Sequence, residues 1–257
     1  MKKWTFIFLF SPLFVFSQTT PHANAHAHND YEHNRPLFEA LENGFISVEA
    51  DVHLQGENLL VSHDDPHKNS KTLETLYLRP LDSLRLKNGG SIYENHKRPF
   101  FLMIDIKTNG EETFRVLVNL LSKYAKSLNT PHQKGAIQIL ISGNRPVDLI
   151  MNDPNHFTAI DGRPSDLGKG FSFTFMPLIS DNYQNIISWN GLGSPSNEER
   201  EAIKKLANAV HAENKKLRLW NIPDQQNAWQ ALLDCGVDMI NTDNLHELNL
   251  FLSSKKL

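Results

Sequence analysis

Phe45-Ile46-Ser47-Val48-Glu49-Ala50-Asp51-Val52 is an apolar run rich in β-formers that carries two carboxylates, two residues apart, at its end. Phe100-Phe101-Leu102-Met103-Ile104-Asp105-Ile106 repeats the design, with Lys107 two residues after Asp105. Similar runs recur at residues 24–28, 136–141, 157–161, 171–178, 216–220 and 237–242, so eight strands are predicted. Helical periodicity fills most of the gaps. Thr108 with Glu111 forms a capping box before Phe114, Leu117, Leu121 and Leu128, and Ser196 with Glu199 repeats it before Ile203, Leu206 and Val210. Pro36 opens another helix and Gly44 closes it. Strands alternating with helices argue for a parallel sheet, and eight such units fit an α/β fold of the (β/α)8 TIM-type barrel, with some irregularity. Residues 59–62 form an extra short strand, a hairpin arm after Val52.

The chain has 257 residues, 40% of them hydrophobic and 21% charged, with 13 Gly and 13 Pro dispersed along it. That balance excludes collagen, a coiled coil and a low-complexity chain. Lys2 and Lys3 precede a short apolar run from Trp4 to Phe16, the shape of a secretory signal, with cleavage expected between Ser17 and Gln18. Residues 1–17 are therefore read as a signal peptide and residues 18–257 as one barrel domain, exported to a periplasm or the medium. No later run is long enough to be a membrane span, and none is expected in the mature chain. Loss of Lys2 and Lys3 moves the formal charge from −3 to −5, which gives no reason to expect nucleic acid as a partner. Cys235 is the only cysteine, so no intrachain disulfide can form, and its apolar neighbours predict burial.

Seven of the 12 histidines, His22, His26, His28, His33, His53, His63 and His67, fall between residues 22 and 67. His26 and His28 end the first predicted strand, Glu49 and Asp51 the second, and Asp105 and Lys107 the third, while His63 follows the hairpin arm. In a parallel barrel the carboxyl ends of the strands meet on one face, which brings these groups together. Strand alternation puts Glu49 and Asp51 on the same side, where two like charges are costly unless a cation neutralises them. Three carboxylates without cysteine suit one hard divalent cation, Mg²⁺ or Ca²⁺, better than zinc. Arg163, in the turn after residues 157–161, can reach an anionic group, and Ser142-Gly143-Asn144-Arg145 reads as a polar loop at the pocket. His53 has no assigned role. His211 and His246 fall in helices and are expected to be solvated.

The order His28, Glu49-Ala50-Asp51, His63-Asp64, Asp105-Ile106-Lys107, Trp220-Asn221 and Gly236-Val237-Asp238-Met239-Ile240-Asn241-Thr242-Asp243 resembles the superfamily of glycerophosphodiester phosphodiesterases and phosphatidylinositol-specific phospholipases C. The block His26-Ala27-His28-Asn29-Asp30-Tyr31-Glu32-His33 is most similar to a branch that includes a yeast protein named for altered inheritance of mitochondria. The resemblance implies a TIM-type barrel with two catalytic histidines, His28 and His63. It also implies one divalent ion held by Glu49, Asp51 and Asp105, Lys107 against the phosphate, and Trp220 at the substrate entrance. Asn29 stands where the family motif has a phosphate-contacting arginine, and Asp105 replaces the usual glutamate, as in the sphingomyelin-cleaving phospholipases D of spider venoms. Only 42 positions separate His63 from Asp105, too few for the extra subdomain many relatives carry there.

Such a set suits a small-molecule or lipid phosphodiester as substrate. Hydrolysis of that stable anion needs neutralised oxygens, a base for the attacking hydroxyl and an acid for the leaving alkoxide. Two other readings stand beside it. His26-Ala27-His28 has the spacing of a zinc site of the amidohydrolase or phosphatase kind. An exported barrel could also bind a phosphorylated or sugar ligand without turnover, although binding alone does not need two histidines.

Overall fold

The strands β1 (His22–Ala27) and β2 (Phe45–Gln55) run parallel to each other, and the chain continues through β3 (Asn58–Val61), β4 (Phe100–Ile106), β5 (Ile137–Gly143), β6 (Thr158–Gly162), β7 (Leu178–Asn182), β8 (Lys216–Trp220) and β9 (Met239–Thr242). Parallel pairing links β2, β4, β5, β6, β7, β8 and β9 in turn, and β9 pairs with β1. The result is a closed eight-stranded parallel barrel, the TIM-type architecture. β3 lies outside the closure, antiparallel to the far end of β2 from Val52↔Val61 to Gln55↔Asn58, as the hairpin reading required. In this computed structural model residues 19–255 are described, so the predicted signal segment and its cleavage site lie outside the described residues. No helix among the described residues is long and apolar enough to cross a membrane.

Alternation along the strands builds two separate interiors. On β2 and β4, Val48, Ala50, Val52, Leu102, Ile104 and Ile106 join the large core between barrel and helices. The opposite face of β4 sends Met103 into a small cluster with Leu140, Ala159, Leu178 and Met239 that plugs the barrel. Above this plug the inward positions turn polar: Glu49, Asp51, Ser142, Asp161, Ser180, Arg218 and Asn241 are all buried. An apolar floor with a polar layer over it places the chemistry at the carboxyl ends of the strands.

The surrounding helices are α1 (Phe38–Glu42), α2 (Arg79–Lys87), α3 (Gly110–Ser122), α4 (Val147–Met151), α5 (Asn197–Ala212), α6 (Gln226–Asp234) and α7 (Leu245–Ser254). The capping box at α5 forms as expected, with Ser196 accepting from the Glu199 amide and Glu199 accepting in return. At α3 the cap lies one residue later than expected. Asn109 accepts from Glu112 N, because Thr108 Oγ1 is already engaged with Leu54 N and Thr113 Oγ1. The helix expected from Pro36 to Gly44 is confined to α1.

A larger correction concerns residues 171–178. Phe175 N and Met176 N both donate to Ser172 O, closing a turn, so the strand is β7, Leu178–Asn182. Phe171 and Phe175 pack against each other within this turn, ring centroids 5.6 Å apart and planes tilted by 49°, and their apolarity mimics a strand. Cys235 is buried as expected. His211 and His246 are both exposed, as expected, and His211 also bonds Asp238 Oδ2 at 2.8 Å. His53 is buried, with Nε2 lacking a hydrogen-bond partner.

Candidate active site

Register brings the three predicted carboxylates together. β2 and β4 pair Glu49 with Met103 and Asp51 with Asp105, so the inward acids of neighbouring strands sit at adjacent levels. One carboxylate oxygen each from Glu49, Asp51 and Asp105 lies within 4.8 Å of the others. Lys107 Nζ bridges Asp51 Oδ2 at 2.9 Å and Asp105 Oδ1 at 3.0 Å. Gly143 makes room for this: its φ is 66°, and a Cβ there would stand 2.3 Å from Asp105 Oδ1.

Behind the acids stands an arginine that was not singled out from sequence. Arg218, on β8 and buried, donates through Nη2 to Glu49 Oε2 at 2.8 Å and through Nε to Asn241 Oδ1 at 3.0 Å. Burial alone would raise the Glu49 pKa, but Arg218 and the His26 hydrogen bond outweigh it and hold the carboxyl well below the usual range. His26 is depressed to about 4, first by its complete burial and then by the Arg218 charge. It is therefore neutral, with Nδ1 on Ser47 Oγ at 2.7 Å and Nε2 on Glu49 Oε2 at 3.1 Å. Both ring nitrogens are engaged, and His28 bonds elsewhere, so the pair does not converge on one point as the zinc reading required.

The charge balance supports a cation. Lys107 and Arg218 offset two of the three carboxylates and leave one negative charge. Asp105 shows the excess: burial and then the neighbouring Glu49 and Asp51 raise its pKa against the opposing Lys107. Asp51 shows where an ion fits. Its Oδ2 contacts three groups, the Tyr31 hydroxyl at 2.9 Å, His63 Nδ1 at 3.1 Å and Lys107 Nζ, whereas its buried Oδ1 has no hydrogen-bond partner. An orphaned carboxylate oxygen beside two other carboxylates fits a hard divalent cation, held by Glu49, Asp51 and Asp105.

His28 and His63 flank this centre. His28 Nδ1 bonds Asp243 Oδ1 at 2.9 Å. Asp243 is itself set by Asp224, which accepts from the amide of Asp243 and the side chain of Asn244. Burial works to lower the His28 pKa, but the Asp243 hydrogen bond and the Glu49 and Asp243 charges prevail and raise it. His63, just beyond β3, is more than half exposed and leans on Asp51 through Nδ1. Asn29 sits in the left-handed region, φ 43°, and its Oδ1 lies 3.0 Å from the Tyr31 hydroxyl.

The remaining predicted residues are more peripheral. Arg163 Nη1 donates to the Asp161 carboxylate at 2.8 Å and to the carbonyls of Asp161 and Gly162, while Nη2 reaches Ser142 Oγ at 3.3 Å. It braces the polar layer next to the acids. Trp220 is 38% exposed at the end of β8, on the same face as the site. Of the predicted Ser142–Arg145 loop, Gly143, Asn144 and Arg145 wall a cleft of about 770 Å³ with Lys107, Asn109 and Glu111, whereas Ser142 is buried and donates to Asp161 Oδ2. Arg218, Tyr31 and Asp243 were missed as site residues. Only Asp243 had a signal, at the end of the last predicted strand. A lone basic residue in Lys-Leu-Arg-Leu-Trp and a tyrosine in a loop carry none.

The fold agrees with what known proteins show. Residues 15–159 match the AIM6-like phosphodiesterase domain. The chain is 30% identical to altered inheritance of mitochondria protein 6 of Kluyveromyces lactis, over 89% of this chain and 72% of that protein. A homolog from Arthroderma benhamiae is 26% identical over 86% of this chain and 81% of its own length. In fold alone, a glycerophosphodiester phosphodiesterase from Agrobacterium tumefaciens str. C58 is similar, with TM-score 0.52 and 11% identity, over 90% of this chain and 100% of that one. With more than half of its length matched to one domain family, and relatives that cover most of the barrel, the chain belongs to the AIM6-like phosphodiesterase family.

Proposed function

We propose that this phosphodiesterase-family protein is a metal-dependent phosphoric diester hydrolase acting on a glycerophosphodiester or phospholipid-like substrate. The observation that carries the reading is the bare, buried Oδ1 of Asp51 among three carboxylates, with an imidazole on either side. A Mg²⁺ or Ca²⁺ ion held by Glu49, Asp51 and Asp105 would neutralise charge on the non-bridging phosphate oxygens. Lys107 adds a second positive charge beside the same oxygens. His28, with its raised pKa, is suited to stay protonated and donate to the leaving alkoxide as general acid. His63 is suited to accept the proton of the attacking hydroxyl or water. A neighbouring hydroxyl of the substrate acting as nucleophile would give a cyclic phosphodiester, and the two imidazoles would exchange roles to open it. Asn29, Arg163 and Trp220 would line the substrate's path. Export, with cleavage before Gln18, remains part of this proposal.

The test is hydrolysis of bis-para-nitrophenyl phosphate and a panel of glycerophosphodiesters and lysophospholipids by purified protein, with Mg²⁺, Ca²⁺ or chelator. Turnover of at least one diester that disappears on chelation is expected. A protein that folds, binds the ion and turns over none of the panel would refute the reading and favour a ligand-binding barrel.

A further inference from the structure

We infer that Tyr31 is a positioning residue that fixes the tautomer of His63 and the orientation of Asp51, and so prepares His63 to act as a base. The inference rests on the acid/base reading above and adds a residue to it. Tyr31 lies in the 3₁₀ turn Asp30–Glu32 that follows the left-handed Asn29. The turn is anchored from below: buried Asp30 accepts from Leu37 N at 2.6 Å and from the Tyr77 hydroxyl at 2.9 Å through Oδ2. The Tyr31 ring is thereby held over β2, and its hydroxyl reaches three groups at once.

Those groups are Asp51 Oδ2 at 2.9 Å, Asn29 Oδ1 at 3.0 Å and His63 Nδ1 at 3.4 Å. A phenol has one proton, and the ionised carboxylate is the strongest acceptor of the three, so Tyr31 donates to Asp51. The assignment of oxygen and nitrogen on an asparagine amide follows from its partners. With the phenol proton committed, the Asn29 amide satisfies the arrangement by donating to the tyrosine oxygen. Both atoms facing His63 Nδ1, the Asp51 carboxylate oxygen and the tyrosine oxygen, are then acceptors. Nδ1 must carry the hydrogen, and Nε2 keeps its lone pair for a substrate proton. The same bond helps fix the Asp51 carboxylate, whose other oxygen, Oδ1, is buried without a hydrogen-bond partner.

The experiment reads the tautomer directly. Protein labelled with ¹⁵N at histidine, without added metal and at a pH above the ordinary histidine range, is compared as wild type and Tyr31→Phe by long-range proton–nitrogen correlation. His63 is assigned from the signals lost in His63→Gln. His63 as the Nδ1–H tautomer in the wild type, and a mixture containing Nε2–H in Tyr31→Phe because Asp51, no longer held by the phenol, can turn from His63, is the expected result. With Mg²⁺ or Ca²⁺ present, Tyr31→Phe should lower kcat on bis-para-nitrophenyl phosphate roughly tenfold with little change in KM, because that substrate needs a base but little acid. Tyr31→Met serves the same purpose if Tyr31→Phe does not fold. An unchanged His63 tautomer, whether or not kcat falls, would overturn the inference. A tautomer shift in a protein whose wild type hydrolyses no diester would uphold the role of Tyr31 and overturn the proposed activity instead.

Discussion

Replacing Arg218 by Met should expose how the polar layer is held together. The guanidinium is almost fully buried and stands 2.8 Å from Glu49 Oε2, with Asn241 as a second partner. At an effective dielectric constant of about 20 that ion pair is worth about 6 kcal/mol of attraction, set against the cost of desolvating both groups. Removing one partner of such a pair leaves a buried charge, which costs about 3–5 kcal/mol. His26, held neutral first by its own burial, offers little compensation in its place. With a urea m-value near the upper end of about 1–3 kcal/mol/M, the midpoint at pH 7 should fall by more than about 1 M. The pH dependence has a definite sign. In the wild type the Glu49 pKa is depressed, so its ionisation stabilises the fold above the unfolded value of 4.5, and that contribution is lost as pH falls through the folded value. Without Arg218, burial raises the Glu49 pKa above its unfolded value. The penalty is then present at neutral pH and relieved as pH falls. The stability gap between wild type and variant should narrow from pH 7 towards pH 4, and Arg218→Met with Glu49→Gln should recover most of the loss. A double variant as unstable as Arg218→Met alone would refute the reasoning.

Other expectations can be checked separately. His28→Ala and His63→Ala should each lower kcat by roughly 10²-fold or more, with strongly non-additive losses. A para-nitrophenyl ester should restore turnover to the variant lacking the acid, His28, and not to the one lacking the base. Asp243→Asn removes the hydrogen-bonding carboxylate that raises the His28 pKa, and burial then dominates. Because the acid form is lost as pH rises through that pKa, the alkaline limb of kcat/KM should move to lower pH. Gly143→Ala should cost at least about 1–2 kcal/mol in thermal unfolding, from its left-handed backbone, and weaken cation binding in calorimetry by crowding Asp105. Mass spectrometry of the exported protein should find an N-terminus near Gln18, and an intact Met1 in that fraction would contradict the signal reading.

Much of the candidate site was legible because strand chemistry is local. Glu49, Asp51 and Asp105 sit at strand ends with period-two spacing, and any parallel barrel places such positions on one face, whatever its helices do. His28 and His63 followed from the same argument together with family resemblance. The segment 171–178 was misread because apolar content alone does not separate a strand from a turn whose aromatic residues pack on each other. The cap of α3 shifted by one residue because Thr108 serves the β2 strand instead, a partner 54 positions away that no local pattern reveals.

Alternating strands and helices, the acid pairs and the histidine-rich first third were properties of the amino-acid sequence by itself, since each depends on residues within a few positions of one another. Which atoms meet inside the barrel was decided only by the tertiary structure. Closure of β9 on β1 brings Asp243 to His28 across 215 positions, and the barrel diameter brings Arg218 to Glu49 across 169. The physical reason is that a buried charge must find its partner wherever packing allows, and packing is a property of the closed barrel rather than of any one strand.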